Sequence, residues 1–155
     1  MTHHHYSTTV TWTGNLGTGT SGYRDYRRDH HVTTDGRPPI PGSSDPTFRG
    51  DPTRWNPEQL LLASLSQCHM LWYLHLCADH HIVVTDYVDH ATATMTTDDT
   101  GTGRFTDALL RPHVTVADPT TVETATALHT AAHHACYIAN SVTFPVRHEP
   151  TVTAT

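Results

Sequence analysis

β-Branched and aromatic residues alternate with polar ones across residues 6–12, YSTTVTW, which is the period of a half-buried strand. TGNLGTGTSG (13–22) follows as a turn cluster. A second strand is expected over residues 23–33, where a spacing of two puts Arg24, Tyr26, Arg28 and His30 on one face. TDGRPPIPGSSDP (34–46) is dense in proline and glycine and reads as a loop that continues through RGDPTRW to Trp55. Asn56-Pro57-Glu58 then signals a helix start: Asn as cap, Pro at the first helical position, and an acid facing the positive end of the dipole. That helix is expected to run to about Asp79. Its leucines wrap most of the way round, which predicts a central helix buried on several sides.

HIVVTDYVDHATATMTTD reads as a strand, bent or broken near residues 86–89, paired through a turn at 98–103 with GTGRFTDALLRPHVTVAD. Asp118-Pro119 opens a second helix over about 121–137, and SVTFPVRHEPTV is a final strand. The order β-β-α-β-β-α-β predicts an α+β domain with two helices and an antiparallel sheet. At 155 residues the chain is read as a single domain, 1–155.

Composition narrows the choice of partners. The chain has no lysine, nine arginines, 15 histidines and a formal charge of −6 with neutral histidine, so no basic footprint for nucleic acid or an anionic membrane is present. The N-terminal MTHHHYSTTVTW has neither the basic nor the apolar run of a targeting peptide. Polar residues interrupt the apolar run near residues 60–78, which disfavours a membrane span. A soluble, cytoplasmic protein is expected. Three cysteines argue against a structural disulfide framework and for any disulfide being transient and chemical.

Cys68 and Cys136 lie in the two expected helices, which in so small a domain have to pack together, so a cross-helix thiol pair is geometrically possible. Cys77 follows Cys68 by nine residues, about 900° of helical rotation, and faces the opposite side. It is read as packing. A reactive thiol needs a nearby cation, for which Arg24, Arg28 and neighbouring histidines are candidates. Glu58, the one acid in the first helix before Asp79, would orient such an arginine.

With these residues in place, NPEQLLLASLSQCHM and AHHACYIANSVTFPV resemble the OsmC/Ohr family of thiol-dependent hydroperoxide reductases. The resemblance covers nearly the whole chain, from TVTWTGN to SVTFPV. It implies an OsmC-like α+β fold, antiparallel sheets packed around two central helices in an intertwined homodimer, and a peroxidase with neither haem nor metal, no cofactor being required. Cys68 would attack the peroxide as thiolate and become a sulfenic acid. Cys136 would condense with it to a disulfide, and an external dithiol, such as a lipoyl protein, would reduce that. Glu58 carries over directly; for the arginine, Arg24 and Arg28 rank above Arg49.

Two further points bear on the site. Glu58 and Cys68 stand about 15 Å apart along a continuous helix, so the helix is interrupted, an arginine spans the gap, or a second subunit supplies Glu58. Walls from Leu61, Leu65, Met70, Trp72, Tyr137 and Ile138 would suit an alkyl or fatty-acid hydroperoxide. The competing reading from another class is a metal site built from Cys68-His69 and the His133-to-Cys136 segment, or a non-enzymatic stress protein.

Overall fold

β1 (Thr9–Trp12) pairs antiparallel with β2 (His30–Thr33), which pairs antiparallel with β3 (Ile40–Gly42). All four residues of β1 are exposed. In this computed structural model, which describes residues 1–155, the three strands belong to the first of two compact units, Met1–Leu61 and Leu62–Thr155. The expected long second strand is cut to its last four residues. Residues 22–25 turn instead, with the Asp25 N–H donating to the Gly22 carbonyl, and past β1's end the chain pairs through an isolated Asn15–Tyr26 bridge. Gly14 permits this close approach, because a Cβ there would sit 1.9 Å from the Arg27 carbonyl oxygen. The same carbonyl accepts the Trp12 indole N–H at 2.8 Å. The Pro/Gly loop is more ordered than expected: it carries β3 and a short 3-10 turn at Pro46–Phe48.

Helix α1 runs from Pro57 to Asp79 without a break. Its cap is reciprocal: the Gln59 N–H donates to Asn56 Oδ1 at 2.8 Å, and the Asn56 N–H donates to Gln59 Oε1 at 3.2 Å. Leu60, Leu61, Leu62, Trp72, Leu74 and Leu76 are half-buried, so full burial is narrower than expected. One stripe, Leu65, His69, Tyr73 and Cys77, is buried at a spacing of four, while Leu71 is 59% exposed. By length and composition α1 is apolar enough to cross a membrane despite its polar interruptions, while Tyr73 and Cys77 of its buried stripe pack into a core.

In the second unit each expected long strand is two strands. β4 (Val84–Asp89) and β5 (Thr92–Thr97) go to different sheets, as do β6 (Gly103–Leu110) and β7 (Pro112–Val116), and β8 (Val146–His148) and β9 (Thr151–Ala154). The sheets are β4-β7-β9 and β5-β6-β8. Pairing is antiparallel between β4 and β7 and between β5 and β6, but β8 and β9 lie parallel to β6 and β7, so both sheets are mixed rather than antiparallel. The crossing is made at Asp89, whose carboxylate accepts the Arg111 backbone N–H at 2.7 Å and the Ser66 hydroxyl at 2.5 Å, tying the strand break to α1. α2 (Val122–Ala135) follows a 3-10 turn at Pro119–Thr121, and ends before Cys136 rather than beyond it. Tyr73, Cys77, Ile82, Val114, Val116, Ala125, Leu128 and Ala132 form the core between α1, α2 and β7. Complete burial of residues such as Val114 and Leu128 contributes roughly 1.5–3 kcal/mol each.

Candidate active site

Cys68 lies one residue, about 100° of rotation, off α1's buried stripe, and is half-buried. Cys136 is 1% exposed and forms the C-cap of α2, where ψ of 109° takes the chain out of the helix. All three cysteines are free thiols. The Cys136 thiol senses that of Cys68: burial foremost pushes it up to about 11, the Ala139 N–H opposes that shift, and the Cys68 thiol adds to it. The Ala139 N–H donates to Cys136 Sγ at 3.4 Å. Cys77 has a different neighbour. Burial raises its pKa, and the Tyr73 hydroxyl beside it works the other way.

An apolar wall adjoins the thiols. Trp72, one helical turn after Cys68, meets Tyr137, the residue after Cys136, edge to face with ring centroids 5.4 Å apart. Tyr137 is 68% exposed, Met70 and Ile138 are half-buried, and Leu65 belongs to the buried stripe. Leu61 is half-buried at the end of the first unit.

Beneath Cys68 runs a column of imidazoles that the sequence did not disclose. His69 Nε2 lies 3.0 Å from His129 Nδ1, the two rings are stacked within 8° of parallel, and Tyr73 stacks on His129 at 3.8 Å. His148 and His133 extend the column, with ring centroids 5.6 Å from His69 to His148 and 5.4 Å from His133 to His148. Burial first, then the neighbouring histidines, hold His69 down at about 4 and His129 at about 3, so both rings are neutral near pH 7. The spacing of four from Leu65 to Cys77 was the available signal for His69, but nothing in α2 marked His129 as its partner. No group of three or more His, Cys, Asp or Glu side chains converges as a metal ion requires, the Cys68-His69 and His133-to-Cys136 segments included.

The remaining candidates lie in the first unit. Arg24 is exposed in the turn, off the strand on which it was expected. Arg28 is half-buried just before β2, and its guanidinium folds back on its own segment, donating to the Tyr26 and Tyr23 carbonyls at 2.8 and 2.7 Å and covering the Tyr26 and Tyr23 rings at 4.0 and 4.5 Å. It lines an open depression of about 350 Å³ with Trp12, Tyr26, His30 and Pro57. Glu58 is half-buried in the first turn of α1, and its Oε2 is enclosed without a hydrogen-bond partner. Because α1 is unbroken, interruption between Glu58 and Cys68 is removed from the three possibilities. Arg49 caps the 3-10 turn in a left-handed conformation and is exposed. Arg54, which sequence reasoning passed over, is the ion-paired arginine of this unit, 3.8 Å from Asp29 and donating to the His30 carbonyl at 3.2 Å.

Comparison with known proteins adds to this geometry. Residues 50–151 match the family model described as OsmC-like protein. An OsmC-like protein of unknown function from Vibrio cholerae is 30% identical, with a TM-score of 0.85 over 96% of this chain and 100% of that one. Two organic hydroperoxide resistance proteins share the fold: that of Elizabethkingia anophelis at 20% identity and TM-score 0.64, covering 98% of this chain and 99% of the other, and that of Legionella pneumophila at 23% and 0.62, covering 96% and 97%. No curated protein matches the sequence.

Proposed function

The chain belongs to the OsmC-like family, and from that premise we propose that it is a cysteine-based peroxidase that reduces organic hydroperoxides in defence against oxidative stress. The observation that carries this reading is the Cys68 thiol, half-buried on α1 and near enough to the Cys136 thiol at the end of α2 to raise its pKa. In the proposed cycle the Cys68 thiolate attacks the outer peroxide oxygen, the O–O bond breaks, and the alkoxide leaves with a proton as the alcohol. Cys68 is then a sulfenic acid. The Cys136 sulfur attacks Cys68 Sγ, the S–O bond breaks, and the hydroxide takes the Cys136 proton to leave as water. An external dithiol, a lipoyl protein among the possible reductants, restores both thiols by exchange and is itself oxidised to a disulfide.

Arg24 or Arg28 would hold Cys68 as thiolate, with Glu58 orienting the guanidinium. A second copy of the chain completes this arrangement in our reading. Two features support a homodimer: a buried Glu58 oxygen with no partner, which is costly unless a cation meets it, and large apolar side chains such as Leu71 and Tyr137 left exposed. The Trp72–Tyr137 wall favours an alkyl or fatty-acid hydroperoxide over hydrogen peroxide.

The test is thiol titration under native conditions before and after one equivalent of an organic hydroperoxide. Two thiols should be lost together, with an internal Cys68–Cys136 disulfide found by peptide mass mapping, and Cys68→Ser should abolish the loss. Retention of every thiol after exposure would sink the assignment. Sedimentation showing a fully active monomer would remove the dimer.

A further inference from the structure

We propose that Asn140 is a positioning residue for the Cys136 thiol. The inference rests on the thiol pairing above and concerns how the second thiol is held ready to attack. In a helix continuing past Cys136, the Ala139 N–H would bond back to the carbonyl of residue 135. The chain instead leaves the helix at Cys136, which frees that N–H, and it donates to Cys136 Sγ at 3.4 Å. Asn140 fixes this departure from both sides of the cysteine. Its backbone N–H donates to the Cys136 carbonyl at 3.0 Å, and its side-chain Nδ2 donates at 3.0 Å to the carbonyl of His134, in the last turn of α2. Carbonyls at a helix end have no partner within the helix, so the Asn140 amide fills a position that the fold leaves open.

The consequence is chemical. Cys136 is nearly sealed from solvent, so water cannot support the negative charge its sulfur takes on when the thiol loses its proton to become the attacking thiolate. A backbone N–H already aimed at that sulfur can, and needs no reorganisation as the reaction proceeds. The Asn140 clamp keeps that donor in line. Asn140 itself is exposed and touches neither sulfur, so its effect is on the ring-closing step and not on the first reaction of Cys68.

The experiment uses the full chain and an aryl disulfide reagent, dithiobis-nitrobenzoate, under native conditions. Cys68 thiolate displaces one thionitrobenzoate to give a mixed disulfide, and Cys136 thiolate then attacks Cys68 Sγ, expelling the second thionitrobenzoate as the protein disulfide forms. Cys136→Ser identifies the second phase by eliminating it. Asn140→Ala and the isosteric Asn140→Asp, which as a carboxylate has no donor, should each slow the second phase by about tenfold, the loss of one charge-supporting donor geometry worth roughly 1.4 kcal/mol, and leave the first phase within twofold. A residue that only capped α2 would lower the urea midpoint without changing the ratio of the two phases. The proposal is overturned if both variants close at the wild-type rate, if the two phases slow together, or if the wild-type chain releases only one equivalent. No peroxide is involved, so a chain inert to hydroperoxides would sink the peroxidase reading while these phases still decide the role of Asn140.

Discussion

Cys77 and Cys136 are equally buried, each 1% exposed, and burial raises the pKa of both, yet the two regions in which they sit differ in every other respect. Cys77 is in the body of α1 on its packing stripe, beside a tyrosine hydroxyl and within the core formed with Ile82 and Val116. Cys136 is at a chain reversal, with a backbone N–H aimed at its sulfur and a second thiol alongside. Burial therefore does not separate a packing thiol from a chemical one; neighbours and backbone conformation do.

The widest difference expected between the two regions is in turnover. Cys136→Ser should leave Cys68 able to react once with an organic hydroperoxide and then stall or over-oxidise, lowering steady-state rate by at least about a hundredfold. Intact mass should show Cys68 gaining two oxygens. Cys77→Ala should keep the rate within about twofold, and sustained turnover by the Cys136 variant would erase the distinction.

Next in size is an acid sensitivity that belongs to the packing side. His69 and His129 have folded pKa values near 4 and 3, below the unfolded value of about 6.5, so the unfolded chain binds more protons in between. Stability is then complete above about pH 6.5 and lost as pH falls toward 4 and below. From pH 7 to pH 5 the loss is about 2 kcal/mol for each ring that has to stay neutral. Urea midpoints across that range measure it, and a flat profile would mean that the column accepts charge without opening. Replacing His129 with leucine should flatten the slope.

How far the sequence discloses these two regions depends on the range of the interactions that make them. The Asn56-Pro57-Glu58 start and the full extent of α1 are legible because a cap and a first turn are local chemistry, closed by residues 56 and 59. Cys68 and Cys136 are picked out by their placement on the two long segments. The strand pattern at residues 81–98 signals a bend or break near 86–89, close to the break at 90–91. At 101–118 alternation continues through the break at 111, where Asp89, itself bonded to α1 23 residues away, accepts the Arg111 N–H. Arg28 is misplaced for a related reason: its period-two spacing fits a strand, but the guanidinium finds two carbonyls and two tyrosine rings on its own segment. The imidazole column joins residues 60 apart in sequence, and periodicity within one helix carries no information at that distance.

A smaller effect separates the two thiols by stability. Cys77→Ala removes a buried sulfur from a core of eight residues and should cost about 1–2 kcal/mol, at the low end of large-to-small core changes because one atom is lost. Cys136→Ala at the chain reversal should cost less than this in the urea midpoint while abolishing closure. Equal costs would mean that Cys136 is as much a packing group as Cys77.

The smallest expected effect tests whether the Tyr73 hydroxyl beside Cys77 is more than a neighbour. The Tyr73 ring is fully buried and stacks on His129 with planes 11° apart, and burial foremost, then the Cys77 thiol, raises its phenol pKa. A thiol is a weak hydrogen-bonding partner, so Tyr73→Phe gives up little and relieves a hydroxyl held away from water. Because the ring and its stack remain, stability should change by no more than about 0.5 kcal/mol, whereas Tyr73→Ala, which empties the site, should lose about 3–5 kcal/mol. Peroxide turnover in the Phe variant should match wild type. A tenfold fall in rate with stability intact would place the Tyr73–Cys77 region in the chemistry and undo the contrast between the two buried thiols.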